Sequence, residues 1–393
     1  MKQALVWART NTWRDWVAGW LFIGVFLFIA VHFSALSNKA INNVFYLAVL
    51  LPTVLLMRKA YIKDWLSSPI IRVLIVYLVY TASMWWLVGD SRPLKYSLYV
   101  LFFSVAIYQL KVLGIFRPNV LAYFFFAVCL VYVGGILLDM YLEKGKLPYR
   151  PFFYEWHISI PIFICAVMAV SFSSAANAFY QSQRYALIVI AIAVIVWFML
   201  LFKTRTGFAG LAVAFACFLL VQMWLLNKKG KIILAIFFSC AACVGLYLYF
   251  SGVLDPLFLR GSSYRFTIWQ ILWSKMENCS MWFGCGYDHD VTSYRFTESV
   301  AMKHPHSIYM AQLFYSGFVG LVLLIGLITI TVYQGIRHNA VWLYAFITGC
   351  GVFLVDGWGL ISPPREITWL LFWLPLVMVN SASVEDYLDN DSI

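Results

Sequence analysis

Long apolar runs and short polar turns alternate along most of the chain. The runs fall at roughly 16–35, 40–57, 69–88, 94–115, 119–140, 157–177, 185–202, 207–226, 232–250, 308–333, 340–358 and 367–382. At about 1.5 Å per residue, runs of this length match a hydrocarbon core of about 30 Å. They are continuous rather than alternating, which excludes the strands of a membrane barrel. The pattern predicts an all-α polytopic integral membrane protein with about 12 transmembrane helices. One gap is long: residues 251–307 form the only sizeable extramembrane piece, read as a large periplasmic loop containing short helices. No repeat or low-complexity linker divides the chain, so 1–393 is one transmembrane domain with that loop inside it.

Composition sharpens this reading. The chain is 63% hydrophobic and 11% charged, against about 25% charge in soluble domains. The net charge of +11 points to membrane lipids and anionic substrates rather than nucleic acid, because most of the chain is expected in lipid. The first run follows Lys2, Arg9 and Arg14, is long for a signal-peptide core and has no A-x-A site after it, so it is expected to be a retained anchor. Basic residues divide evenly between the two sides of the predicted bundle. Arg260, Arg265, Lys275, Arg295 and Lys303 share the long loop, where the positive-inside rule weighs little. Discounting them makes the side of Arg58, Lys59, Lys228 and Lys229 cytoplasmic, and both termini with it.

On that topology the outer face collects cations at helix starts. Arg92-Pro93 precedes the fourth run, Lys203-Thr204-Arg205-Thr206-Gly207 the eighth and His306 the tenth. Helix N-termini and arginine forks suit phosphate oxygens. In the long loop, Ser262 or Ser263 can cap a helix reaching Met276, with Arg265 in its first turn, where a cation opposes the helix dipole unless an anion joins it. Pro305 suits the first turn of a further helix. If a helix starts there, His306 and Gly317 are roughly three turns apart on one face, with Leu313 and Gly320 near the same stripe. His304, before Pro305, is expected to point elsewhere. A neutral His306 imidazole could take a proton from a hydroxyl, since the helix N-terminus, Arg205 and Arg265 disfavour the imidazolium. His304-x-His306 is also a potential metal pair, but no HExxH, CxxC or DxD pattern accompanies it, and no metal is expected. Arg295 and Tyr309 stand near enough in sequence to be substrate contacts. Cys279 and Cys285 can pair if the loop faces an oxidising compartment. His32 and His338 read as interfacial.

These residues also carry a family resemblance. His306-Ser307, nine residues, Gly317, two residues and Gly320 resemble the His-[Asn/Ser/Gln]-x9-Gly-x-x-Gly signature of WaaL-type O-antigen ligases. Arg265-x3-Trp269 followed by Phe283-Gly284-x-Gly286 is similar to the motifs that precede it in the wider superfamily, which includes Wzy-type O-antigen polymerases and O-oligosaccharyltransferases. The resemblance covers about 200–333. It implies an inverting, metal-independent glycosyltransferase with no cofactor, in the bacterial inner membrane with its site facing the periplasm. The implied donor is undecaprenyl-diphosphate-linked O-antigen and the implied acceptor a sugar hydroxyl of lipid A–core. His306 would be the catalytic base. Arg205, Arg265 and Lys203 would bind the diphosphate, and Arg92, Tyr309, His304 and Arg295 would be further contacts. Gly284, Gly286, Gly317 and Gly320 would be structural, and the enzyme a monomer. A polymerase differs in acceptor. A flippase or secondary transporter would instead show mid-membrane charges and inverted repeats, neither of which is found here.

Overall fold

The computed structural model describes residues 13–34, 36–89, 91–144, 161–202, 206–225, 265–287, 289, 291, 294–295, 302, 304–357 and 359–382. Among these the chain is helical, with an isolated bridge between Ser280 and Gly284 and no strand. The helices are α1 (Trp13–Val31), α2 (Asn38–Leu56, with a wide π turn at Phe45–Leu50), α3 (Lys59–Ser67), α4 (Pro69–Val88), α5 (Arg92–Val112), α6 (Pro118–Lys144), α7 (Pro161–Gln181), α8 (Tyr185–Phe202) and α9 (Thr206–Leu225). They continue with α10 (Arg265–Met276), α11 (Ile308–Arg337), α12 (Leu343–Val355) and α13 (Trp369–Ala382). Every expected apolar run coincides with one of them except 232–250, which lies outside the described residues.

The chain is thus an all-α polytopic membrane protein. By length and composition, five described helices are able to cross a membrane, and up to six if the bent pair α3 and α4 makes one span. Four shorter apolar helices, including α12 and α13, complete the bundle. Its core is aromatic: Phe28, Phe45, Phe103 and Trp369 meet edge-on or tilted across α1, α2, α5 and α13. Small residues set the closest approaches. A Cβ on Gly210 of α9 would stand 2.7 Å from the Thr348 carbonyl of α12, and one on Gly349 would meet Leu371 of α13. His32 is buried, not interfacial as expected; its ring nitrogens lie 2.8 and 3.0 Å from the Phe28 and Pro364 carbonyls.

A second, smaller core sits at one end. Ile268, Leu272 and Met276 line one face of α10 at helical spacing and pack on Leu313 and Phe314 of α11, with Val291 and Met302. The apolar composition of α10 thus has a definite use, as the cap of the site described below.

The long helix α11 is broken. Gly317 has φ 65° and ψ −168°, outside helical space. The break folds the first arm, Ile308 to Ser316, back onto α12. Leu343 lies against Gly335 of α11, and Cys350 stands about 10 Å further along α12, at about 1.5 Å per residue. On a straight α11, Tyr309 would be about 39 Å from Gly335, yet its hydroxyl donates to the Cys350 carbonyl at 3.0 Å.

Candidate active site

The break is held open by the segment that carries the Phe283-Gly284-x-Gly286 motif. An unbroken helix would bond Phe314 and Tyr315 carbonyls to the N–H groups of Phe318 and Val319. Here Cys285 and Gly286 N–H donate to those carbonyls, at 2.8 and 3.0 Å, while Phe318 and Val319 N–H donate to Met281 and Trp282 carbonyls, at 3.0 and 3.2 Å. The Ser316 carbonyl accepts from the Tyr80 hydroxyl at 2.6 Å. The backbone groups released by the kink are therefore satisfied.

Glycine is required on both sides of this joint. Gly284 and Gly317 have φ 77° and 65°, and a Cβ on Gly317 would lie 2.3 Å from the Trp282 carbonyl. A Cβ on Gly284 would lie 2.5 Å from the Tyr315 carbonyl carbon. A disulfide between Cys279 and Cys285 closes the docked segment. Beneath it, Gln312 binds Tyr77 and Tyr287 through Oε1, at 2.9 and 3.3 Å, and donates through Nε2 to Ser316 Oγ. Gly320 leaves room for that pair: a Cβ there would stand 2.1 Å from Ser316 Oγ.

The motif histidine is not on the helix. Ser307 is the N-cap of α11, its hydroxyl accepting from Met310 N–H, and Ile308 is the first helical residue. Pro305 and His306 precede the cap, and His306 has a left-handed backbone, φ 55°. The expected stripe from His306 through Leu313 and Gly317 to Gly320 is therefore corrected twice, by the later helix start and by the break. The second turn of α10 supplies the support instead. Trp269 Nε1 donates to the Pro305 carbonyl at 3.0 Å, fixing the turn that presents His306.

Behind His306 stands a residue that sequence reasoning passed over. Asp356, which caps the C-terminal end of α12, places Oδ1 3.7 Å from His306 Nδ1, longer than a direct hydrogen bond but within ion-pair range. The carboxylate also accepts from Gly357 N–H at 2.8 Å. Its side chain is 8% exposed and that of His306 31%, so the imidazole is the more open of the two. Burial pushes the Asp356 carboxyl up, but His306, the Gly357 N–H and the charge of Arg265 outweigh it and hold it below the ordinary carboxylate range. Asp356 is the only acidic residue between Glu298 and Glu366, at the edge of an apolar run. That isolation is the signal that could have found it.

His304 does not point away, as its place before Pro305 suggested: its ring centroid lies 3.8 Å from that of His306. Ligand atoms of His304, His306 and Asp356 lie within 4.8 Å of one another, a grouping able to hold a divalent ion. His304 and Asp356 also line a small cavity with Thr206, the first residue of α9, and Thr368 before α13. Lys203 and Arg205 lie outside the described residues, but Thr206, which follows them in the chain, borders the site.

Arg265, at the start of α10, reaches Asp356 electrostatically. Tyr309 is half-buried with its hydroxyl engaged on α12. Arg92 is exposed at the first turn of α5, Arg295 is exposed beside Tyr294, and neither lines the cavity. The arrangement offers an accessible imidazole backed by a buried carboxylate, flanked by a second imidazole and a guanidinium: a proton acceptor beside an anion site.

The comparisons fit this arrangement. The sequence model of a family described as O-antigen ligase matches residues 169–325. A curated O-antigen ligase of Pseudomonas aeruginosa is 23% identical over 359 residues, covering 86% of this chain and 84% of that protein. The family match includes Arg205, Arg265, His306 and all four motif glycines. It stops short of Asp356.

Proposed function

With the resemblance to the O-antigen ligase superfamily supported by both comparisons, we propose that the chain is an O-antigen ligase in the inner membrane. It would move O-antigen polysaccharide from undecaprenyl diphosphate to a sugar hydroxyl of lipid A–core. The observation that carries this reading is the partly exposed His306 held in front of α11 with Asp356 behind its Nδ1.

With Nδ1 turned to Asp356, Nε2 takes the proton of the acceptor hydroxyl. The hydroxyl oxygen attacks the anomeric carbon of the donor, and the bond from that carbon to the phosphate oxygen breaks on the opposite side. The configuration inverts and undecaprenyl diphosphate leaves with the electron pair. Asp356 stabilises the imidazolium that forms. Arg265 and Arg205, with Lys203, meet the charge that grows on the diphosphate. The disulfide of the docked segment supports a site on the periplasmic side, since disulfides persist in oxidising compartments.

A deletion strain tests the activity. Loss of a ligase leaves long lipid-linked polymer that never reaches lipid A–core. A core capped with single repeat units would instead assign the chain to the polymerases, whose chemistry needs the same base and anion site with another acceptor.

A further inference from the structure

The joint at Gly317 also carries a surface that catalysis does not use. Met281, Trp282 and Phe283 are 37%, 66% and 51% exposed, and Trp273 of α10 beside them is 45% exposed. They are not scattered. Trp273 and Trp282 flank Phe318, with ring centroids 6.4 and 6.2 Å away. Phe318 is the first residue of the second arm of α11. That arm, Phe318 to Arg337, is about 30 Å long, the thickness of a hydrocarbon core. Below Phe318 on the same face stand Val322 and Ile325, 64% and 50% exposed, at the four- and seven-residue spacing of one helical stripe. An apolar stripe on a membrane-crossing arm faces lipid. The aromatic group crowns that stripe, at the level where the arm leaves the hydrocarbon. Its neighbour Lys275 is exposed, and an amphipathic aromatic next to a cation is the chemistry of the headgroup boundary.

We infer that Met281, Trp282, Phe283 and Trp273 form a wedge inserted into the membrane leaflet on the site's side, at the boundary between headgroups and acyl chains. The occupant of this surface is phospholipid. The main-chain bonds that hold the α11 break open thus also hold these side chains at a fixed depth, so the wedge sets the height of the His306 turn over the membrane. The inference rests on the chain being membrane-embedded and not on the transferase reading, and it can fail alone.

Photo-crosslinking in the full chain tests it. p-Benzoylphenylalanine replaces Phe283 or Trp282, an aromatic exchange at exposed positions, in protein reconstituted into phosphatidylethanolamine–phosphatidylglycerol nanodiscs. Val322 serves as the lipid-facing control and Glu277, exposed after α10, as the aqueous one. Illumination followed by mass spectrometry should give phospholipid adducts at 282 and 283 comparable to those at 322 and about tenfold above those at 277, as expected for groups buried at the boundary. Adducts at 322 with only background at 282 and 283 overturn the inference. So do adducts from 282 and 283 to a second protein chain.

Discussion

His306 holds a left-handed backbone that costs a residue with a Cβ about 1–2 kcal/mol, so its substitution has to separate chemistry from backbone. Asn adopts that conformation readily. His306→Asn is therefore expected to keep the thermal stability of the wild type and to lose about 10²-fold or more in rate in an assay with lipid-linked donor and lipid A–core. An active variant would remove the base. Asp356→Asn should lose at least about tenfold, because the imidazolium it stabilises forms only during reaction. Its stability effect should depend on pH in a definite direction. The folded carboxyl is lowered, so the advantage of wild type over Asp356→Asn is full above the unfolded value of about 3.9 and shrinks as pH falls through the folded one. Melting of both proteins across that acid range checks the sign. His304→Ala is expected to keep substantial activity and added chelator to change nothing; strong loss together with chelator sensitivity would make the His304–His306–Asp356 group a metal centre. Sequence made His306 legible through its spacing to two glycines. It marked Asp356 only as a lone acid at the end of an apolar run, with no local partner to say what it faces.

Between elements, the joint at Gly317 makes the clearest demand. Gly317→Ala and Gly284→Ala each place a methyl within 2.3–2.6 Å of backbone atoms at positive φ. Both are expected to melt several degrees lower and to lose activity, while Gly326→Ala, whose Cβ meets nothing within 4 Å, should be neutral. Opening the loop with Cys279→Ser should cost about 2 kcal/mol by chain entropy and expose the amides of Phe318 and Val319 to hydrogen exchange; unchanged protection there would show that the docking does not depend on the disulfide. The glycine motifs were readable as motifs, but not as halves of one joint, since some thirty residues separate them. Counting turns from His306 to Gly317 assumed a helix that Gly317 itself interrupts. The cap helix α10 was legible from its Ser-rich start and apolar content. Its partner face, Leu313 and Phe314, was not, because contacts between distant segments leave no period in the sequence.

For the whole molecule, hydropathy located nearly every helix, since lipid burial demands continuous apolar runs whatever they pack against. Length alone supports five or six spans among the described residues, where α12 and α13 are apolar but short, and leaves the expected number of about 12 unconfirmed. We expect both termini in the cytoplasm, and a reporter at Thr292 should be periplasmic; a cytoplasmic reporter there would invert the molecule and move the site to the wrong compartment. The two hydrophobic cores bear on more than stability. His306 is held from both, since Trp269 on α10 bonds the Pro305 carbonyl while Ile308, two residues on, is buried in the larger core that also carries α12, ended by Asp356. The 3.7 Å between His306 and Asp356 therefore depends on both cores at once, joined through the first arm of α11. A cavity made by substitution in either core would therefore be felt at the base and its carboxylate, far from where it was made.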